Sequence, residues 1–182
     1  MRLTIARLPS PIGAMLLASD GDGALRALDF DDCEARLHRL LQLHYVRYAL
    51  TMGRLPDAIV TALAAYFAGD LTAIEAIPVA TGGTDFQRRV WGALRQLRPG
   101  TTTSYGGLAA SLGRPAASRA VGLANGANPV AIVVPCHRVI GSNGALTGYG
   151  GGISRKRWLL EHEGVRLGPA ASAERDLLQS VE

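Results

Sequence analysis

The sequence predicts an α/β lobe followed by a mostly helical lobe that contains a helix-turn-helix. Three short segments of β-type composition precede two helical ones in the first part of the chain, whereas the later periodic segments are helical. A tight glycine-containing turn joins two of these later helices, as in a helix-turn-helix unit. With 182 residues, the chain can bury one good core or two small lobes that share an interface.

The first lobe is predicted to cover residues 1–80. Its strands are expected at 2–8, 13–19 and 24–30, with "SDGDG" as the turn before the third. A helix is expected over 32–48, since apolar side chains recur there at helical spacing: Leu37, Leu40, Leu41 and Tyr45. A second helix is expected to begin at Pro56 and to end at Gly69.

The second lobe is predicted to cover residues 81–167, and residues 168–182 have the composition of a polar tail. Its first helix begins at Thr84, which has the spacing of a capping box with Gln87, and "RPG" ends it. The segment "ISRKRWLLEHEGV" predicts the last helix.

The predicted helix-turn-helix lies in the middle of this second lobe. It comprises a helix over 104–112, a turn at "GRP" and a second helix over 115–126. Ser118 and Arg119 stand near the start of the second helix, where a recognition helix presents the residues that contact DNA. Such units are also ordinary packing elements, so the pattern alone leaves DNA contact open.

Charge is distributed unevenly along the chain. Residues 86–166 contain 11 Lys or Arg and only two acidic residues, for a net charge of +9, whereas the remainder carries −5. A basic segment beside an acidic one favours a lobe that faces a polyanion such as nucleic acid, with several arginines and Lys156 available to attract phosphate. The alternative is a solvated arginine face without a ligand.

Several protein classes are disfavoured by composition. The N-terminal residues are interrupted by Arg7, Pro9 and Pro11, so they lack the apolar core of a signal peptide, and no run is long enough to span a bilayer. Two cysteines, Cys33 and Cys136, cannot form a disulfide framework. We therefore expect a soluble, cytoplasmic protein with reduced thiols.

The strongest chemical signal is Cys136. An apolar run over 130–134 has the composition of a buried strand, ends at Pro135, and is followed directly by Cys136, His137 and Arg138. A reactive thiol needs a base or positive charge to lose its proton; His137 and Arg138 are adjacent, and the last helix of the same lobe offers a further base and carboxylates in Glu161, His162 and Glu163. The alternative is that Cys136 is a small core residue, which is the interpretation we accept for Cys33.

The sequence does not indicate a metal site or a dinucleotide site. Cys33, His38 and His44 have spacings that do not place them on one helix face. The segment "GYGGGI" at 148–153 does not complete the glycine pattern of a dinucleotide fingerprint, so it is interpreted as a mobile or closely approached loop with Tyr149 at its tip.

Four segments together resemble one family. "SYGGLA", "SRAVGLANGANP", "VVPCHRVIG" and "TGYGGG…WLLEHEG" are similar, in order and spacing, to the O6-alkylguanine-DNA alkyltransferases, and the resemblance is strongest from Thr84 to Leu167. It implies a ribonuclease-H-like N-terminal α/β lobe and a C-terminal helical lobe of winged-helix type. It also implies that no cofactor is needed, and the chain lacks the cysteines of the structural zinc that some relatives carry.

The resemblance assigns roles to individual residues. Cys136 would accept the alkyl group, His137 would take its proton through a water, Glu163 would orient His137, and Tyr105 would donate to the guanine ring. Arg119 would enter the base stack as a finger. The other residues implied to contact DNA are Ser104, Ala120, Asn125 and Gly126; those implied for the pocket and hinge are Asn128, Val139, Tyr149 and Gly150.

The implied function is direct repair of DNA. The alkyl group of O6-alkylguanine, with O4-alkylthymine as a further candidate, would pass irreversibly to Cys136, once per chain. The partner would be double-stranded DNA bound through its minor groove, by a monomer, with cooperative assembly left open. Two alternatives remain: a non-catalytic lesion-binding protein of the alkyltransferase-like type, and a cysteine hydrolase built on Cys136 and His137.

Overall fold

The structure is a computed structural model and describes residues 1–172. The strands are β1 (Arg2–Leu8), β2 (Met15–Ser19), β3 (Leu25–Phe30), β4 (Ala49–Met52), β5 (Thr103–Ser104) and β6 (Val139–Ile140). The helices are α1 (Glu34–His44), α2 (Asp57–Phe67), α3 (Asp85–Arg95), α4 (Tyr105–Ser111), α5 (Ser118–Gly126), α6 (Ile153–His162) and α7 (Pro169–Ser172). Within this part of the chain, no helix has the length and apolar character needed to cross a membrane.

The N-terminal lobe is built on a four-stranded sheet with the order β3-β2-β1-β4. β2 pairs antiparallel with β1 and β3, whereas β4 lies parallel to β1. The three strands predicted from the sequence are thereby confirmed. β2 is buried on both faces, because alternate residues point to opposite sides: Leu16 packs in one cluster with Leu37 of α1, and Leu17 belongs to the main core.

The helix predicted over 32–48 was too long, and β4 was not predicted. α1 ends at His44, and Tyr45 has an extended backbone (φ −134°, ψ 121°). The hydroxyl of Tyr45 donates to the carbonyl of Ala80, which fixes the end of the helix against the last residue of the first lobe. Tyr45 and Val46 favour extended structure, and the ladder between β4 and β1 satisfies backbone groups that further helix would have used.

Two predicted helix starts are confirmed. The hydroxyl of Thr84 accepts from the backbone N–H of Gln87, and the Gln87 side chain accepts from the N–H of Thr84, which completes the capping box of α3. α2 begins immediately after Pro56, and Gly69, at a φ of 110°, lies just beyond its end.

The helix-turn-helix is also confirmed. α4 begins directly after Ser104, whose hydroxyl accepts from the backbone N–H of Gly107 at 3.0 Å and caps the helix. Gly113 turns the chain with a φ of 71°, and a short 3₁₀ turn from Pro115 leads into α5. β5 and β6 pair in parallel and join the start of this unit to the segment that follows Cys136.

The apolar run over 130–134 is buried as predicted, but it is not a strand. Only Val130 makes a bridge, with Leu28 of β3, and the next residues form a turn in which Ile132 has a φ of 69°. The reason is the side chain of Asn128, which accepts from the N–H of Val130 and donates to the carbonyl of Val134 at 2.8 Å. An amide side chain thus replaces a neighbouring strand as the hydrogen-bond partner of this segment.

One hydrophobic core runs across both lobes. It contains Leu63 and Tyr66 of the first lobe together with Trp91, Val121 and Leu159 of the second. Cys136 belongs to the same cluster. Because the lobes share their core, the segment that carries Cys136 is supported from both sides.

The predicted tail is only partly within the described residues. Residues 169–172 form one helical turn, and Ala171 is buried with Leu146 and Leu160. The first residues of the expected tail therefore pack against the second lobe, and the remainder of that prediction lies outside the described part of the chain.

Candidate active site at Cys136

Cys136 begins a 3₁₀ turn at the floor of a small cavity. The backbone N–H of Cys136 donates to the carbonyl of Val134 at 2.8 Å, and only 5% of the residue is exposed. The cavity has a volume of about 190 Å³. Its walls include residues from α4, α5 and the loop before α6: Tyr105, Gly122, Asn125, Gly126, Tyr149 and Gly150.

A larger cleft of about 910 Å³ lies elsewhere, between Glu75 and Arg95. It is more open to solvent and is not lined by a cysteine or histidine. The smaller cavity is therefore the better candidate for chemistry, because it combines a nucleophile with exclusion of water.

The turn that begins with Cys136 also carries the groups that bind Glu163. His137 Nε2 lies 2.9 Å from Glu163 Oε1, and both side chains are fully buried. Arg138 donates to both carboxylate oxygens, through Nε to Oε2 and through Nη2 to Oε1, each at 2.8 Å. A third donor comes from the other lobe, since the hydroxyl of Tyr66 donates to Glu163 Oε1 at 2.8 Å. Three side chains thus donate hydrogen bonds to the Glu163 carboxylate.

Burial and these contacts determine the protonation states. Burial by itself would raise the pKa of Glu163, but the hydrogen bonds from His137 and Arg138 and the positive charge of Arg138 outweigh it and hold that pKa well below its usual range. Burial lowers the pKa of His137, with Glu163 opposing that shift. At neutral pH the site therefore pairs a glutamate anion with a neutral imidazole.

A neutral His137 that donates from Nε2 has its other nitrogen available as a base. Nδ1 of His137 is buried and has no hydrogen-bond partner among the described residues. The ring of Tyr149 meets that of His137 edge-on, with centroids 6.5 Å apart. Burial raises the pKa of the Cys136 thiol, while the Asn128 side chain and the charges of Arg36 and Lys156 oppose this effect. Cys136 at rest is therefore a thiol, and its neighbour in the chain, His137, has a nitrogen that can accept a proton.

Lys156 is buried inside the second lobe, which contradicts the prediction that it is available to attract phosphate. Its ammonium group donates to the carbonyls of Val139 at 2.7 Å, Thr147 at 2.6 Å and Gly148 at 3.3 Å. It therefore ties β6 to the loop that carries Tyr149. Lysine is rarely buried without such partners, because an ammonium group outside water needs several acceptors.

The glycine-rich loop over 148–152 lies against the first lobe. A side chain at Gly150 would overlap the guanidinium of Arg36, at 2.2 Å from its central carbon, and one at Gly151 would overlap the ring of Phe30. The prediction of a closely approached loop is confirmed by these contacts. Tyr149 points inward: its hydroxyl oxygen is buried and has no partner within the described residues.

The residues predicted on α5 fall into two groups. Arg119, Ala120 and Gly126 are exposed, as is Leu123, with 74% of its surface accessible. Asn125 is buried in the cavity wall, and its Oδ1 atom has no partner in the part of the chain that the structure describes. α5 thus presents one side to the cavity and another to solvent.

The remaining predicted site residues make contacts within the protein that support the cavity. The hydroxyl of Ser104 is used as the cap of α4, and Val139 is fully buried with its carbonyl on Lys156. Tyr105 lines the cavity, and its hydroxyl donates weakly to the carbonyl of Thr147 at 3.4 Å. Asn128 holds the turn that leads to Cys136, as described above.

Two residues of the first lobe reach the site and were missed from the sequence. Tyr66 contacts Glu163, and Arg36 donates to the backbone carbonyls of Gly126 and Asn128 at 3.2 Å while pairing with Asp29. The signal for Arg36 was the acidic residue inside β3, because a buried carboxylate needs a charged partner. Cys33 was interpreted as a core residue but is half-buried, with Sγ 3.6 Å from the carbonyl of Gly150.

Comparison with known proteins places both lobes in one family. The model of the 6-O-methylguanine DNA methyltransferase ribonuclease-like domain matches residues 3–81, and that of the DNA binding domain of the same proteins matches residues 85–165. The methylated-DNA--protein-cysteine methyltransferase of Salmonella typhimurium is 50% identical over 169 residues, covering 92% of this chain and 99% of that protein. The Mycobacterium tuberculosis protein of the same name is 49% identical over 161 residues, covering 87% and 91%.

Solved structures agree with this assignment. The crystal structure of Mycobacterium tuberculosis OGT in complex with DNA superimposes with a TM-score of 0.75 at 44% identity, over 90% of this chain and 92% of that one. The predicted architecture, a ribonuclease-like lobe followed by a helical DNA-binding lobe, is confirmed by these matches. The chain belongs to the 6-O-methylguanine DNA methyltransferase family.

Proposed function

We propose that this protein repairs DNA by moving an alkyl group from O6 of guanine to the Sγ atom of its own Cys136. The observation that carries the proposal is the arrangement at the cavity floor. A buried thiol stands next to a histidine whose Nε2 is held by Glu163 and whose Nδ1 has no partner among the described residues. The family and its relatives' names supply the substrate class.

The first step is deprotonation of Cys136. Its thiol proton passes to Nδ1 of His137 through one water molecule, since the two side chains make no direct hydrogen bond in the described structure. The imidazolium that forms is stabilised by the Glu163 carboxylate, whose negative charge is maintained by Arg138. Burial keeps the thiol protonated at rest, so the charge develops only with this assistance.

The second step is an in-line displacement at the alkyl carbon. The thiolate forms the new S–C bond, the C–O6 bond breaks, and its electron pair leaves with the guanine. Tyr105, on the cavity wall, is positioned to donate towards the ring as it gains negative charge. No cofactor is required because the thiolate supplies the electron pair. The thioether product does not release the alkyl group, so each chain acts once.

Access to the base requires extrusion from the duplex. The alkyl carbon lies inside the base stack, and flipping costs a few kcal/mol, less for a badly paired base. Arg119 is exposed on α5 and is suited to fill the space that the guanine leaves, because its guanidinium is planar and charged. Ala120 and Gly126 are small and exposed on the same helix, which allows close approach of the DNA backbone.

The partner is double-stranded DNA, approached by α5 through the minor groove, and the acting species is a monomer. O4-alkylthymine is a second candidate substrate, and assembly of several molecules along DNA is compatible with the proposal. Because the substrate is DNA, we place the activity in the cytoplasm. The lining of the cavity by Asn125 and Tyr149 sets the limits on alkyl-group size.

A single experiment separates the proposed function from its two rivals. The protein is mixed with duplex DNA that carries one O6-methylguanine, and its intact mass is followed with time. We expect one methyl group per chain, and peptide mapping places it on Cys136. Tight binding without a mass change would indicate a lesion-binding protein, and repeated turnover on an ester would indicate a hydrolase.

A further inference from the structure

Among the described residues of the first lobe, Tyr66 is the one whose side chain makes a hydrogen bond to Glu163. It lies in the last turn of α2 and is fully buried. Its hydroxyl donates to Oε1, which is the same oxygen that accepts from His137 Nε2. The two donors therefore share one acceptor atom.

Tyr66 is held in this position by a second contact. Nε2 of His162, at the end of α6, lies 2.8 Å from the backbone carbonyl oxygen of Tyr66. The rings of the two residues pack edge to face, with centroids 5.2 Å apart. Since a carbonyl can only accept, the histidine nitrogen is the donor. Tyr66 thus contacts two consecutive residues, His162 through its backbone carbonyl and ring and Glu163 through its hydroxyl, which holds the tyrosine against the end of α6.

We propose, building on the alkyl transfer proposed above, that Tyr66 is a positioning residue for the chemistry of Cys136. By sharing Oε1 of Glu163 with His137, its hydroxyl limits how strongly the carboxylate holds a proton on the imidazole. The carboxylate keeps two further bonds from Arg138, so the hydroxyl is not needed to keep Glu163 in place. Its effect is on the acceptor strength of Oε1.

The direction of this effect follows from hydrogen-bond chemistry. Each donor to a carboxylate oxygen withdraws negative charge from it and weakens its bond to the next donor. Burial, followed by the charge of Glu163, raises the pKa of Tyr66 far above its ordinary value, so the hydroxyl remains a donor wherever the protein is folded. Removing the hydroxyl leaves a stronger acceptor for His137, which raises the pKa of His137 and makes the thiolate easier to form.

Several charged or titratable groups among the described residues lie around Tyr66 and His137. Glu163 faces Tyr66, His137 and Arg138, and the backbone of Tyr66 faces His162. The remaining neighbours of the imidazole are Lys156 and Tyr149, which act on it through charge and ring contact. Tyr66→Phe keeps each of these groups, including His162 at the backbone carbonyl of residue 66, so a shift of its rate–pH profile relative to the wild type reports on the loss of the hydroxyl.

Limiting the proton affinity of His137 is useful in a protein that reacts only once. A thiolate present at all times would be lost to oxidation before a damaged base arrived. Tyr66 keeps Cys136 in the thiol form at rest, and proton transfer occurs when the substrate occupies the cavity.

The test is the pH dependence of methyl transfer, measured by intact mass at a series of pH values for the wild type and for Tyr66→Phe. The phenyl ring fills the same space, and thermal unfolding checks that the fold is retained. We expect the rising, acid limb of the Tyr66→Phe profile to move to higher pH by about half a unit or more, because His137 must lose its proton before it can act as the base, and the rate on the plateau to increase. Tyr48→Phe is the matched control, because it removes a tyrosine hydroxyl that contacts His38 and not Glu163, and it should leave the profile unchanged.

Two further variants make the test independent of protein stability. Replacing Tyr66 by a fluorinated tyrosine strengthens the O–H as a donor and should move the acid limb the opposite way, to lower pH, with a lower plateau rate. In a Glu163→Gln background, Tyr66→Phe should produce no shift, because the hydroxyl acts through the carboxylate. An unchanged profile, a loss of rate that is equal at every pH, or the same shift in the Glu163→Gln background would each overturn the inference. Failure of the wild type to transfer a methyl group would instead overturn the proposed function, so the two failures are distinguishable.

Discussion

Replacement of Asn128 by alanine tests how the segment before Cys136 is held. The Asn128 side chain is fully buried, accepts from the N–H of Val130 at 3.0 Å, and donates to the carbonyls of Val134 at 2.8 Å and Val130 at 3.4 Å. Both carbonyls keep another donor in the variant: the N–H of Cys136 for Val134, and the N–H of Val134 for Val130. The N–H of Val130 has no other partner among the described residues.

The expected loss in the free energy of unfolding follows from these hydrogen bonds. A buried N–H without a partner costs about 1–3 kcal/mol, and the two lost bonds to carbonyls that remain satisfied add a smaller amount. Asn128→Ala should therefore lower the free energy of unfolding by about 2–4 kcal/mol in total. Because the turn positions Cys136, the variant should also transfer methyl groups more slowly at temperatures where it remains folded.

The assay is urea unfolding at pH 7, followed by the fluorescence of Trp91 and Trp158. The midpoint should fall while the slope with denaturant stays constant. Asn143→Ala is the matched control, since Asn143 makes a comparable bond to the N–H of Ala145 in an exposed loop, and should cost less than about 1 kcal/mol. Equal small losses for both variants would refute the role of Asn128 and mean that the turn is stable without it.

The remaining predictions concern two basic residues of the second lobe. Arg119→Ala should slow repair of duplex DNA far more than it weakens DNA binding. It should leave reaction with free O6-benzylguanine nearly unchanged, because only duplex repair needs the flipped base to be held out. Equal losses in both reactions would argue that Arg119 supports the fold. Lys156→Met should destabilise the protein and slow transfer, since three carbonyls lose the ammonium group that donates to them, but should leave the salt dependence of DNA affinity unchanged. A smaller salt slope in the Lys156 variant would mean that its charge acts on phosphate after all.

Local signals predicted much of this fold. The strands β1 to β3, the capping box at Thr84 and the helix-turn-helix are each determined by residues close together in the chain, so periodicity and caps were sufficient. The end of α1 and the turn over 130–134 were mispredicted for the opposite reason. β4 depends on pairing with β1, and the turn depends on the side chain of Asn128.

The site shows the same division. Cys136 and His137 could be chosen from the sequence, because the chemistry of an activated thiol requires those residue types, whereas the choice of Glu163 over Glu161 depended on the family resemblance. The contacts of Tyr66 and Arg36 could not, since they depend on how the first lobe packs against the second. Lys156 was misassigned because sequence composition does not reveal that a lysine is buried on three carbonyls.

The central claim is that Cys136 is a single-use acceptor, and intact-mass analysis with O6-methylguanine duplex DNA tests it most directly. We predict one methyl group per chain, on Cys136, with transfer abolished in Cys136→Ser while DNA binding is largely retained. Cys33→Ser should keep full transfer, since Cys33 lies outside the cavity lining and burial raises the pKa of its thiol. Methylation mapped to Cys33, or more than one methyl group removed from DNA per chain, would contradict the account.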